Sequence, residues 1–194
     1  MDFTGAKSFI VKYLEQKLPN NLYYHGIHHT LDVLKSVKRI SRLEGQNELN
    51  IRLVKTAALY HDVGFVTQYN NNEEIGAFFA EKTLPDFGYS QEHIRQIVAM
   101  ILTTKIKAIP KTNTEKILCD ADYDYLGRDD FHIIANNLYN ELLEYGYKYS
   151  QIEWDNIQLK FLMTHSYYTK TQLNFREKRK QKHINEIESR LNIL

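Results

Sequence analysis

Apolar residues recur along this chain at the three- and four-residue spacing of helices buried on one face, and no convincing strand-like alternation interrupts them. Residues 4–18 place Phe9, Ile10, Tyr13, Leu14 and Leu18 on one stripe, which Pro19-Asn20-Asn21 ends. A second helix is expected from about His28, carrying Leu31, Val33, Leu34, Val37 and Ile40 towards Gly45. The third, over 48–62, is mostly apolar (Ile51, Leu53, Val54, Ala57, Ala58, Leu59), as a central helix would be, and Gly64 reads as its stop. Helices over 72–84 and 90–104 are divided by Pro85-Asp86-Phe87-Gly88-Tyr89, and beyond Pro110 a helix opening at Thr114 carries Cys119 to Leu126. Further helices over 129–145, 150–164 and 171–192 complete the pattern. With three prolines, no repeat and no low-complexity linker, the expectation is all-α: a single-domain helical bundle over 1–194.

Composition narrows this little. A chain of 194 residues has room for one sizeable core. Its 25 Lys plus Arg against 24 Asp plus Glu create no field that calls for nucleic acid, so that partner is unlikely. The single cysteine, Cys119, excludes an internal disulfide and thiolate zinc clusters, and fits a reducing cytoplasm. The opening residues lack a signal-peptide layout, and no apolar run reaches the roughly eighteen residues of a membrane span. The basic run Arg176 to His183 lies in a polar helix with a narrow stripe of Leu173, Ile184, Ile187 and Leu191, and reads as a solvated face. The 14 Tyr and 9 Phe are read as core and groove lining.

Three islands break the helical pattern with polar chemistry. They are Tyr24-His25-Gly26-Ile27-His28-His29-Thr30, Ala57-Ala58-Leu59-Tyr60-His61-Asp62-Val63-Gly64, and Ile117-Leu118-Cys119-Asp120-Ala121-Asp122-Tyr123. Each sets imidazole or carboxylate into an otherwise apolar helix. A buried, unpartnered carboxylate costs several kcal/mol, so such groups need a cation or hydrogen-bond donors. A divalent metal is one economical partner for two imidazoles and two carboxylates; satisfied core residues are the other.

In this order and spacing the islands resemble the HD superfamily of metal-dependent phosphohydrolases, over about residues 22–130. The family pattern is a histidine, a His-Asp pair after an apolar helix, and a distant aspartate. The resemblance implies an all-helical HD-type bundle, completed by residues 131–194. It also implies a metal held by His29, His61, Asp62 and Asp122, and hydrolysis of a phosphate ester, expected to be a nucleotide or a related small metabolite. The alternative is a non-catalytic metal- or nucleotide-binding regulatory module. Two nitrogens and two oxygens suit one divalent ion such as Mn, Fe, Co, Ni or Zn and, less comfortably, Mg. Two-metal members carry further histidines where this chain has Asn72, before Glu73-Glu74-Ile75-Gly76-Ala77, and Thr103-Thr104-Lys105. One metal is therefore expected, and the oxygenase reading is weakened. Phe65 replaces the lysine of the cyclic-dinucleotide phosphodiesterase branch.

Around that set the remaining expectations are graded by position. His25 lies one turn before His29; it either donates a proton to the leaving oxygen, as the matching histidine does in cyclic-nucleotide phosphodiesterases of the superfamily, or lines the helix entrance. His28 points elsewhere and is structural. Asp62, besides ligating, is the catalytic carboxylate, and Glu74 either handles a proton in the pocket or stands exposed at a helix start. Lys105, with Lys107 and Lys111, either meets phosphate or is solvated, and Arg128 is the better placed phosphate candidate. Asp120, two residues from Asp122, cannot share its helical direction and is read as a support or cap. His165 is a packing histidine or closes the pocket.

Overall fold

The structure is a computed structural model that describes residues 1–193. Its nine α-helices are α1 (Phe3–Lys17), α2 (Ile27–Leu43), α3 (Glu48–Tyr60), α4 (Asn72–Thr83), α5 (Gln91–Thr103), α6 (Asn113–Asp122), α7 (Phe131–Glu144), α8 (Gln151–Thr164) and α9 (Lys170–Ile193). Short 3-10 turns follow α3 (Val63–Val66), α4 (Leu84–Phe87) and α6 (Asp124–Gly127), and no strand occurs among the described residues.

Side-chain caps set several of the starts. Asn47 accepts from the Asn50 amide ahead of α3, and Ser90 from His93 ahead of α5. Thr112 and Glu115 form a reciprocal capping box, so α6 begins at Asn113, two residues after Lys111, whose amide also reaches Glu115. The helix expected to run on to Leu126 stops at Asp122 instead and tightens into a 3-10 turn, which swings Asp124 and Tyr125 away from the α6 axis.

The apolar α3 is the central helix, packed against α1, α2, α4, α5 and α6. Val54, Ala57, Ala58, Leu59 and Tyr60 are wholly buried in the main core with Ile10, Val37, Ile97 and Ile117. A second cluster joins Tyr24 and Tyr125 to Leu126, Phe131, Ala135, Leu162, Ile184 and Ile187, so α7, α8 and α9 form a layer against the half built on α3.

Two expectations about elements are corrected. Gly64 is not a left-handed stop; it sits in the 3-10 turn, where a Cβ would lie 2.0 Å from the Asn72 carbonyl oxygen. Contact, not chain reversal, demands glycine there. The basic run of α9 is not a solvated face. Lys178, Arg179 and Lys182 are exposed, but Lys180 and His183 are buried and Arg176 is partly buried. Those three recur at helical spacing, so one face of α9 carries basic side chains into the protein, each to a carboxylate, carbonyl or ring.

Candidate metal centre

The ends of three helices converge on one point. His29 stands in the first turn of α2, whose start is fixed by Gly26 accepting from the His29 amide. His61 and Asp62 leave the C-terminal end of α3, and Asp122 is the last residue of α6. His29 Nε2 lies 3.0 Å from Asp122 Oδ1 and 3.3 Å from Asp62 Oδ2. His61 Nε2 lies 3.0 Å from Asp62 Oδ2, 3.4 Å from Asp122 Oδ1 and 3.4 Å from His29 Nε2. Neighbouring ligands on an ion about 2.0–2.2 Å away are themselves about 3.0–3.4 Å apart, tight in octahedral and wider in tetrahedral geometry.

Hydrogen bonding supports a cation at that point. His61 Nδ1 donates to the Ala58 carbonyl at 2.9 Å, which leaves the Nε2 lone pair facing the cluster. Asp62 Oδ1 accepts from Asn72 Nδ2 at 3.3 Å, while Asp62 Oδ2 is buried without a hydrogen-bond partner although two imidazole nitrogens stand beside it. Buried polar atoms are rarely left so, and a metal ion held there would satisfy this one. Without a cation the cluster must hold protons. Burial disfavours the charged His29 imidazole, but its hydrogen bond to Asp122 and the adjacent Asp62 carboxylate outweigh this and raise its pKa to about 9. Burial likewise raises the Asp122 carboxyl, yet His29 and His61 bring it down to about 2.

Asn72 occupies the position where a second metal's histidine was sought, and it steadies Asp62 instead. Gly76 brings α4 close enough to do this: a Cβ there would stand 2.8 Å from the Tyr60 carbonyl and 3.0 Å from that of His61.

His25 faces the same cavity, its ring 5.8 Å from that of His29 and stacked on Phe65 at 4.1 Å. Its Nδ1 is paired with Glu141, a wholly buried glutamate of α7 that no sequence pattern singled out. Glu141 also accepts from the amides of Tyr24 (2.7 Å) and His25 (2.9 Å) and from the Tyr69 hydroxyl (2.9 Å). Burial pushes this carboxyl up, but the His25 side chain and those amides hold it below its usual value. The only sequence signal was a charged residue at a core position of an otherwise ordinary helix, 116 positions from its partner.

Other sequence candidates fall elsewhere. Glu74 is half-exposed and paired with Lys105; its neighbour Glu73 lines the cavity. Lys105 also lines it, at the rim. Arg128 does not: its guanidinium is held by Asp32 (2.5 Å) and Asp130 (2.6 and 2.9 Å), tying α2 to the turn after α6. His28 bonds the Tyr23 carbonyl at 3.1 Å. Asp120, fully buried, accepts from the Tyr168 amide and from the amide and hydroxyl of Thr169 at 2.6–2.9 Å, fastening the α8–α9 link. His165 packs among Tyr123, Phe161 and Tyr167. A second histidine cluster, His132 and His183 with Glu186, joins α7 to α9 outside this cavity.

The HD domain model matches residues 26–125, more than half of the chain, a span that includes all four converging side chains. The chain belongs to the HD domain family. HD domains are generally metal-dependent hydrolases, and the cluster at His29, His61 and Asp62 is one that could hold a metal. The fold is similar to a predicted HD superfamily hydrolase from an uncultured Thermotogales bacterium, with 19% identity over 95% of this chain and 91% of that one and a TM-score of 0.66. A protein from Lactobacillus plantarum matches over 100% of both chains at 16% identity and a TM-score of 0.69. No curated protein matches the sequence significantly. Among the described residues no helix is long and apolar enough to cross a membrane.

Proposed function

We propose that the protein hydrolyses a small phosphate ester at a single divalent metal ion held by His29, His61, Asp62 and Asp122. The observation that carries this reading is the partnerless Asp62 Oδ2, buried within 3.3 Å of two imidazole nitrogens. When bound, the ion supplies Lewis-acid polarisation of a phosphoryl oxygen and activation of water. Asn72 fixes Asp62 through its other oxygen, and the Ala58 carbonyl fixes the His61 tautomer. His25, oriented by Glu141, delivers a proton to the leaving oxygen; the carboxylate keeps Nδ1 occupied so that Nε2 serves the substrate. Phe65 and Tyr69 pack on the ring and limit its rotation. Lys105, paired with Glu74, stands at the rim where an incoming phosphate passes. Asn72 in place of a histidine supports one ion rather than two.

Metal content of protein purified without added metal, run beside His61→Ala, tests this. About one equivalent of a transition metal, lost in the variant, is expected, together with phosphatase activity on a panel that includes nucleotides. Two equivalents would reinstate the dinuclear and oxygenase chemistry. Metal binding without turnover of any ester would favour the regulatory module.

A further inference from the structure

The cavity that begins at the ligand cluster is far larger than a phosphate. It measures about 550 Å³, within the about 300–1,000 Å³ span of sites for drug-sized ligands. Its two ends differ in chemistry. Near the cluster stand His25, Asp62, Asn72, Glu73, Lys105 and Asp122. The other arm runs between α7, α8 and the turn after α6, walled by Leu126, Phe131, Leu138, Trp154, Phe161 and Leu162. Protein interiors are close-packed, so an apolar space of this size kept beside a reactive centre is shaped for a ligand.

Charge and hydrogen bonding restrict that ligand. Among the described residues lining the cavity there is no arginine, and the only lysine, Lys105, is already paired with Glu74. His25 is paired with Glu141, and Asp62, Glu73 and Asp122 add negative charge. A di- or triphosphate would find too few cations. Two polar groups of the lining are committed as well: Tyr69 donates to Glu141 at 2.9 Å and Gln158, on the α8 side of the arm, to Asp155 at 3.3 Å. A sugar and base would have to give up water for walls that return few hydrogen bonds.

We propose that the cavity takes an ester bearing one phosphate whose organic part is apolar, an alkyl or aryl group lying along the Leu138–Trp154–Phe161 arm with the phosphate at the histidine–aspartate cluster. The cleavage of that ester rests on the function proposed above; the apolar specificity of the arm does not. A nucleotide is the competing occupant.

Trp154 is the chain's single tryptophan and forms part of the arm wall, so its fluorescence reports occupancy directly. Metal-loaded protein is titrated with hexylphosphonate and phenylphosphonate, with methylphosphonate and adenosine 5′-monophosphate for comparison. The apolar phosphonates are expected to shift Trp154 emission saturably and to bind at least about tenfold more tightly than methylphosphonate, since each buried methylene adds affinity. Leu138→Gln and Ile157→Glu, both at partly exposed wall positions, are expected to remove that advantage while leaving methylphosphonate binding and metal content unchanged. Hexyl phosphate would then be cleaved with higher kcat/KM than adenosine 5′-monophosphate. Tighter binding or faster cleavage of the nucleotide, or equal binding of methyl- and hexylphosphonate, overturns the proposal and leaves the phosphohydrolase reading standing. Tight binding of the apolar phosphonates with no ester cleaved supports the ligand class and overturns the hydrolytic reading alone.

Discussion

Three aspartates within five residues show how much a side chain's direction decides. Asp120 reaches the α8–α9 link, Asp122 faces the imidazoles, and Asp124, 3% exposed, takes Arg39, Arg176, Gln172 and Ser36. Residues two positions apart on a helix lie about 200° apart around its axis and so look opposite ways. Glu73 and Glu74, one position and about 100° apart, likewise diverge. At this scale two outcomes are expected. Asp62→Ala removes the oxygen aimed between the imidazoles and should abolish metal retention and lower kcat by at least about a hundredfold, read by elemental analysis and ester hydrolysis. Glu141→Gln keeps the shape of the buried group but not its charge, so kcat should fall by about ten- to a hundredfold with metal content intact. A parallel loss of metal would show that Glu141 supports the fold and not His25.

Helices meet the site through their ends, and those ends were the least legible part of the sequence. Eight of nine helices lie where apolar spacing places them, because a buried stripe is a local pattern. The four converging side chains were legible for the same reason: His61-Asp62 follows a mostly apolar α3, and His29 and Asp122 stand in equally conspicuous settings. Glu141 was not, since its partners are the backbone and side chain of residues more than a hundred positions away. Nor was the inward face of α9, because cations buried at helical spacing look in sequence like a solvated run. The α3–α4 crossing depends on absent side chains, and Gly64→Ala should expose that. Its Cβ must displace the Asn72 backbone, costing about 1–3 kcal/mol of stability by chemical unfolding, and Asn72 would lose its hold on Asp62.

Across the whole molecule, α9 binds the second layer to the first and holds α8 within it. Arg176 bonds Asp124 of the turn after α6 at 2.8 Å, while Lys180 bonds the His165 carbonyl at 2.6 Å and Arg190 bonds Asp155 at 3.0 Å, both on the α8 side. Asp124→Asn leaves Arg39 and Arg176 without their carboxylate; because both guanidiniums are about a quarter to a third exposed, the expected loss is about 2–3 kcal/mol, read as a lowered Tm. Acid should loosen the α8–α9 contact. Burial, with the Lys180 ammonium nearby, lowers the pKa of the His165 imidazole to about 4. An imidazole held neutral by the fold contributes stability that is complete above its unfolded value of about 6.5 and is lost as pH falls through 4. Unfolding measured at pH 7.5 and pH 4.5 should therefore show a smaller drop for His165→Phe than for the parent chain. An equal drop would place the acid sensitivity elsewhere.

All four side chains of the proposed metal site lie before residue 123, yet the segment carrying Asp122 is held by Thr169, Gln172 and Arg176. On a ribosome those holders emerge some fifty residues after the last ligand, and domains fold largely as they are completed. Translation would thus finish α9 before the donor atoms are fixed in place, and any capture of an ion becomes a late event in biogenesis, made once α9 has emerged and not by the first helices alone.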